Sequence, residues 1–287
     1  MISQKYAFLL PGLLVLLAII LFPLLFTIRV SFSSWDVTQP GLDWIGGENY
    51  ARLIVDGRFW QALLRLGLIA VASVVLQYVI GFGLALLVWR DVALKRFIRV
   101  LFLIPMMTTP VIMSVIWRTI FHESLGPAND LVRLLGFAPL NWLTDGGMAV
   151  ASVLIVEVWQ WTPFMFLLLL AGLLSLPREP FLAAAIDGAG PLRTFVNVTF
   201  PMMAPISIGA LVIRLIEASK IMETVYVMTS GGPGTATETS SYYIYIRGLR
   251  DFQIGYAASL SLTYLVIMIV CLTVIAKLLV RVMLPRA

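Results

Sequence analysis

The chain has 287 residues, 60% hydrophobic and only 12% charged, with a mean hydropathy of +0.97 and a net charge of +5. A soluble domain carries about 25% charged and 45–50% apolar residues, so a soluble enzyme or nucleic-acid-binding domain is excluded, and disorder, which needs low hydrophobicity, goes with it. One cysteine, Cys271, and one histidine, His122, allow neither an internal disulfide framework nor a common zinc site.

What remains is an all-α integral membrane protein, a single transmembrane domain over 1–287 with six spans at about 6–30, 60–89, 97–120, 148–175, 202–228 and 257–282. Three apolar runs, 8–26, 66–89 and 257–276, are free of charge. A fourth, 100–117, is slightly short of the roughly 20 residues that cross a hydrocarbon core. The run 148–176 holds Glu157, and 202–228 holds Arg214, Glu217, Lys220 and Glu223. The first run is too long for a signal-peptide core, and no small-x-small site follows it, so it reads as a retained anchor.

With six spans, both termini share one side with the connections 90–99 and 177–201. That side carries Lys5, Arg90, Lys95, Arg96, Arg99, Arg178, Arg193, Lys277, Arg281 and Arg286, against Asp91, Glu179 and Asp187. The excess of Lys and Arg near span ends puts this side, and both termini, in the cytoplasm. The Gly-rich stretch 230–234 (SGGPG) lacks the following Gly-Lys-Ser/Thr of a phosphate loop. No nucleophile elbow, H-E-x-x-H or paired intramembrane aspartates occur. No catalytic or metal-binding residues are therefore expected, nor a cofactor bound by this chain.

The cytoplasmic connection 177–201 reads PREPFLAAAIDGAGPLRTFVNVTFP. Pro180 suits the first turn of a helix, residues 181–186 propagate it, and Asp187-Gly188 ends it. Pro191 restarts a second helix, and Pro201 is expected to close it before the next span. This predicts a helix–turn–helix along the membrane, exposing Phe181, Ala184, Ala185 and Phe195. An apolar surface of that kind suits a docking site; packing on the loop's own helix ends is the alternative.

The run A-A-A-I-D-G-A followed by F-x-x-V-x-F-P resembles the coupling loop of ABC importer permeases. Residues 44–63, 97–111, 223–238 and 242–258 are similar to carbohydrate-uptake permeases of the MalF/UgpA type, so the resemblance spans essentially the whole chain. It implies that Ala183, Ala184, Ala185, Asp187 and Gly188 enter a cleft on a separate cytoplasmic ATPase, with Glu179 and Phe181 beside them. Leu182 stands where the family usually has glutamate. Either Glu179 partly substitutes, or docking here relies on packing while a second permease subunit carries the charged contact.

Ionisable groups inside spans are functional candidates because burying them in lipid is costly. Glu157 is accompanied by Trp159, Gln160, Trp161 and Phe164, with Pro163 weakening the helix. Aromatic faces suit sugar rings, and Gln and Glu suit hydroxyls; interfacial anchoring of the tryptophans is the alternative. Arg214, Glu217, Lys220 and Glu223 recur every third residue, which permits a ladder of intrahelical ion pairs. Glu217 and Lys220 could alternatively face a cavity. By resemblance, the substrate path lies between the fourth and fifth spans of two paired permeases, and the two cations would suit an acidic group on the substrate. His122 reads as a solvated loop residue and Cys271 as an apolar filler.

Together these features predict a permease subunit of an ATP-driven importer for a sugar or polyol derivative, working by alternating access in the bacterial inner membrane. Its expected partners are a paralogous second permease, a cytoplasmic ATPase dimer that holds ATP and Mg, an extracytoplasmic solute-binding protein and membrane lipid, with no nucleic acid. A secondary, ion-coupled transporter is the rival, but it would need internal repeats and broken helices bearing ion sites. A membrane enzyme and a purely structural subunit fit less well.

Overall fold

The computed structural model describes the backbone of residues 2–38, 41–89 and 95–284, and the side chains of 9–38, 41–89, 100 and 102–284. The basic side chains Lys5, Arg90, Lys95, Arg96, Arg99 and Arg286, on which the expected orientation partly rests, lie outside the described residues. Regular structure among the described residues is helical, apart from two isolated bridges. In chain order it comprises α1 (Ile2–Ser31), α2 (Glu48–Ile54), α3 (Gly57–Trp89), α4 (Lys95–Met107), α5 (Pro110–Ile120), α6 (Pro127–Leu134) and α7 (Gly146–Ser175). There follow α8 (Glu179–Ile186), α9 (Pro191–Thr194), α10 (Phe200–Ala218), α11 (Glu223–Met228), α12 (Ser240–Tyr245) and α13 (Ile254–Met283). A π-helical turn, Phe195–Thr199, joins α9 to α10, and another, Ile246–Arg250, follows α12.

Five helical stretches are long and apolar enough to cross a membrane: Leu9–Ser31, Gly57–Trp89, Gly146–Ser175, Pro191–Ala218 and Ile254–Met283. The remaining expected span, 97–120, is interrupted. Pro110 opens α5 and holds Thr109 extended (φ −63°, ψ 142°), so α4 stops at Met107 and α5 begins anew. The expected fifth span, 202–228, also differs from the structure. Its helix ends at Ala218, and the chain re-enters a helix only at Glu223. The hydroxyls of Ser241 and Thr239 donate to the carbonyls of Ser219 (3.4 Å) and Ile221 (3.0 Å) in this break. Such bonds satisfy backbone groups that hydrocarbon could not.

The chain divides into two compact units, Met1–Gln61 with Tyr243–Met268, and Ala62–Tyr242 with Ile269–Ala287. In the first, buried Asn49 donates to the carbonyls of Ser31 (2.9 Å) and Ser33 (3.1 Å), fixing the chain that leaves α1. Asp56 caps α3, its Oδ1 accepting from the Arg58 and Phe59 N–H groups at 3.1 and 3.2 Å. Its other oxygen accepts from the hydroxyls of Tyr243 (2.6 Å) and Tyr256 (2.5 Å). In the second unit, α7 packs against α4 and α10, with Met165, Phe166, Leu169 and Met203 buried, and Phe82 on α3 packs on Phe200 of α10. The Tyr78 hydroxyl donates to Ser207 Oγ (2.9 Å), tying α3 to α10.

Candidate functional site

Asp145 caps α7 by accepting from the Met148 N–H at 2.9 Å, and α7 then carries Glu157 into the protein interior. Glu157 is 3% exposed and Arg214, on α10, 1%. The Arg214 guanidinium donates through Nη2 to the Glu157 carboxylate and through Nε to Gln77 Oε1 (2.8 Å). Gln77 in turn donates to the Glu157 carbonyl at 3.0 Å. Arg214 also lies 4.8 Å from the centre of the Trp161 ring, a cation–π distance. Two buried charges are thus held by each other, an amide and an indole face, the kind of arrangement an intramembrane ion pair requires.

Beside this pair is a cleft of about 240 Å³, lined by Pro110, Glu157, Trp161, Arg214, Glu217, Lys220, Ile221, Glu223 and Thr224. Five of the seven residues expected on the substrate path therefore meet at one place. The other two do not line it. Gln160 is 1% exposed and donates to the Thr108 carbonyl (3.1 Å), at the break between α4 and α5. Phe164 packs edge-on to Trp161, with ring centres 6.5 Å apart. Trp159 sits edge-on to Trp117 at 5.4 Å.

Of the ladder expected along residues 214–223, only the Glu217–Lys220 rung forms. Arg214 reaches across to α7, Lys220 pairs with Glu217 at 2.9 Å, and Glu223 starts a different helix. Arg214 is already engaged by Glu157 and Gln77, and the break after Ala218 removes Glu223 from the series. Gln77 went unremarked in sequence. Its signal was an amide within a long uncharged apolar run, a position where a polar side chain has to find a partner.

The connection 177–201 forms the expected pair of helices. Pro180 lies in the first turn of α8, Asp187 caps its end, and Gly188 takes φ +67°, a conformation costly for any residue with a Cβ. Two details differ. Ala184 is buried, Phe181 packs edge-on to Trp89 at 5.4 Å, and Phe195 packs on Phe82 at 5.6 Å. Ala185 is exposed as expected, and the large exposed apolar residues are Leu182, Ile186, Leu192 and Val196, at 63%, 86%, 76% and 53%. Pro201 does not close the second helix either. The helix continues past it, from Pro191 through the π-turn Phe195–Thr199 to Ala218.

The description "binding-protein-dependent transport system inner membrane component" belongs to a family whose profile matches residues 77–287. The chain belongs to this family. The match begins at Gln77 and takes in every residue of the cleft and both helices of the 177–201 connection. Among relatives of this membrane component, a probable ABC transporter permease protein, y4oQ of Sinorhizobium fredii, is 35% identical over 92% of the chain and 86% of its own length. The trehalose/maltose transport system permease protein MalF of Thermococcus litoralis is 34% identical over 92% and 89%. The sulfoquinovosyl glycerol transport system permease protein SmoG of Agrobacterium fabrum is 34% identical over 88% and 82%. In fold, the chain is similar to a chain in the crystal structure of a bacterial ABC transporter that imports the acidic polysaccharide alginate. That likeness has a TM-score of 0.82 at 21% identity, covering 97% of this chain and 95% of the other.

Proposed function

We propose that this chain is the permease subunit of an ATP-driven ABC importer for a sugar or polyol, operating by alternating access, and that the cleft beside Glu157 and Arg214 is its contribution to the substrate path. α4 and α5 together serve as the third of six spans, and both termini are cytoplasmic. The exposed tip of the 177–201 connection enters a cleft on a partner ATPase, which holds ATP and Mg. A second, paralogous permease completes the path, and an extracytoplasmic binding protein delivers substrate. The chain itself makes and breaks no covalent bond and binds no cofactor.

One observation carries this reading. The helix that starts in the docking loop is the helix that ends in the cleft, a continuous stretch from Pro191 to Ala218 that includes Arg214 and Glu217. At 1.5 Å per residue, Arg214 lies about 35 Å along it from Pro191. A push on α8 and α9 therefore reaches the cleft along one continuous helix, with Pro201 and Pro205 within it. The tip offers Glu179 and Asp187 as its acids, with Leu182, Ala183, Ala185 and Ile186 exposed for packing.

The charges in the cleft favour a neutral substrate. Arg214 is paired with Glu157 and Lys220 with Glu217, and Glu223 adds a third carboxylate against two cations. An acidic substrate gains no net attraction from this side. The half-exposed Trp161 offers a ring face for a sugar, and the carboxylates offer acceptors for hydroxyls.

The test is uptake by proteoliposomes containing the chain with its ATPase, second permease and binding protein. Gly188→Asp should insert and assemble normally yet lose ATP-driven uptake, because it strains and charges the turn between the docking helices. Normal uptake by that variant would refute the coupling assignment. Uptake driven by an ion gradient without the ATPase would favour the secondary-transporter reading.

A further inference from the structure

The connection between α5 and α7 carries an apolar surface that the rest of this chain leaves exposed. It is organised around Asn129, which is 1% exposed. The Asn129 amide donates to the carbonyls of Glu123 (2.8 Å) and Leu140 (3.0 Å). Its oxygen accepts from the Leu140 N–H and the Trp142 indole, both at 2.9 Å. Every hydrogen-bonding position of the side chain is thereby filled. Ser152 on α7 donates to the Trp142 carbonyl (2.9 Å), and Ala128, Trp142 and Leu143 pack on the buried cluster of Phe121, Val156 and Met228. This connection is a fixed platform, not a slack loop.

On that platform α6 has three sides. Ala128, Asn129 and Val132 turn towards the protein. Leu131, Leu134 and Leu135 form a second side, 62%, 82% and 73% exposed. Asp130 and Arg133, paired at 3.1 Å, form the third. At 100° per residue the three sides are centred about 120° apart. Beyond the helix, Gly136 adopts φ +82°, and the Phe137 N–H donates to the Val132 carbonyl (3.1 Å) in a left-handed cap. Phe137 is left 69% exposed. A helix surrounded only by protein and water would turn its leucines inward; here the inward side is already taken, and the leucines have a side of their own.

We propose that this connection rests on the membrane surface, with Leu131, Leu134, Leu135 and Phe137 in the boundary between headgroups and acyl chains and the Asp130–Arg133 pair facing water. A helix bearing one protein side, one apolar side and one charged side fits the line where protein, hydrocarbon and water meet. Two observations select lipid over a protein partner. First, α5, which precedes this connection, keeps Val111, Ile112, Val115 and Ile116 46–54% exposed, so the bare apolar surface continues from a helix of an inner-membrane component. Second, the patch is leucine and phenylalanine with no Trp, Tyr or Arg, the residues that dominate protein–protein hot spots.

The test uses Cys271→Ser as a cysteine-free background and places single cysteines at Leu134, Phe137 and Asp130. Each variant is spin-labelled within the assembly in which the chain purifies and reconstituted into phosphatidylethanolamine–phosphatidylglycerol vesicles. Collision with oxygen is then compared with collision with a water-soluble nickel chelate. The ratio of oxygen to nickel access should be at least about threefold higher at 134 and 137 than at 130, as for groups below the headgroups. Equal nickel access at all three positions, or shielding of 134 and 137 from both reagents, would overturn the proposal, the second result assigning the patch to a protein partner. Matching circular dichroism of labelled and unlabelled protein separates these outcomes from misfolding.

Discussion

Replacing Arg214 by methionine keeps much of the side-chain volume while removing the guanidinium. The Glu157 carboxylate, only 4% exposed, then has no cation beside it, and Gln77 Oε1 loses a donor at 2.8 Å. Breaking a buried ion pair from one side costs about 3–5 kcal/mol, and an orphaned amide oxygen adds about 1–3 kcal/mol. The two losses share one environment and do not add fully, so Arg214→Met should destabilise the protein by about 4 kcal/mol. Glu157→Gln alone should cost nearly as much, because it leaves the buried guanidinium with only an amide and an indole face.

The double variant Glu157→Gln, Arg214→Met removes both charges and should recover at least about half of the loss, since the penalty comes from an uncompensated charge and not from the absence of the bond. The measurement is reversible unfolding in mixed micelles, followed by far-UV circular dichroism, for the wild type, both single variants and the double variant. A loss below about 1 kcal/mol for Arg214→Met, or a double variant as unstable as the worse single one, would refute the picture of a desolvated, mutually dependent pair.

Asp56 gives a pH signature. Its partial burial works to raise the carboxyl pKa, but the hydroxyls of Tyr243 and Tyr256, the Phe59 N–H and the Arg247 charge hold it below the ordinary carboxylate value. A depressed folded value means stability that is present above the ordinary value of about 3.9 and lost as pH falls through the lower folded value. The stability gap between wild type and Asp56→Asn should therefore stay constant down to about pH 4 and narrow below it; a gap independent of pH refutes the assignment. Lys220→Met tests the substrate's charge. Because Lys220 is paired with Glu217 at 2.9 Å, uptake of neutral and anionic sugars by the reconstituted importer should change by similar factors, and a selective loss of the anionic one would restore the acidic-substrate option.

The helical membrane class was legible because lipid demands long apolar helices and the chain has few charges to blur them. The two interruptions were harder to see. Thr108 and Thr109 sit in an apolar run that continues across Pro110, and the break shows only in the extended Thr109 and in the Gln160 amide that meets the freed Thr108 carbonyl. Residues 219–222 look like one more turn of a charged helix, and hydroxyls from 239 and 241, distant in sequence, let that turn open. The gathering of Glu157, Trp161, Arg214, Glu217 and Lys220 was expected from ionisable groups at membrane depth, but the pairing was misread. Intrahelical spacing is visible in one dimension, whereas the preference of Arg214 for Glu157 depends on two helices meeting. For the same reason Phe181 and Phe195 seemed exposed, since their covers, Trp89 and Phe82, lie on α3.

The same pairing bears on how such a cleft could change state. Arg214 is on the helix that continues from the 177–201 connection, whereas Glu157, Trp161 and Gln77 are on α7 and α3. Sliding or rotating α10 against α7 would have to pull the guanidinium off three partners at once. Separating charges at this depth is costly, so intermediate positions of α10 are disfavoured relative to positions in which Arg214 has a complete set of acceptors. An ion pair in the wall of a cleft thus favours discrete positions over gradual ones. Lys220, just past the end of α10, and Glu217, in its last turn, are exposed and three residues apart, and impose no such constraint. Under the proposed function, the buried pair would govern which states are populated, and the exposed pair the polarity that a substrate in the cleft meets.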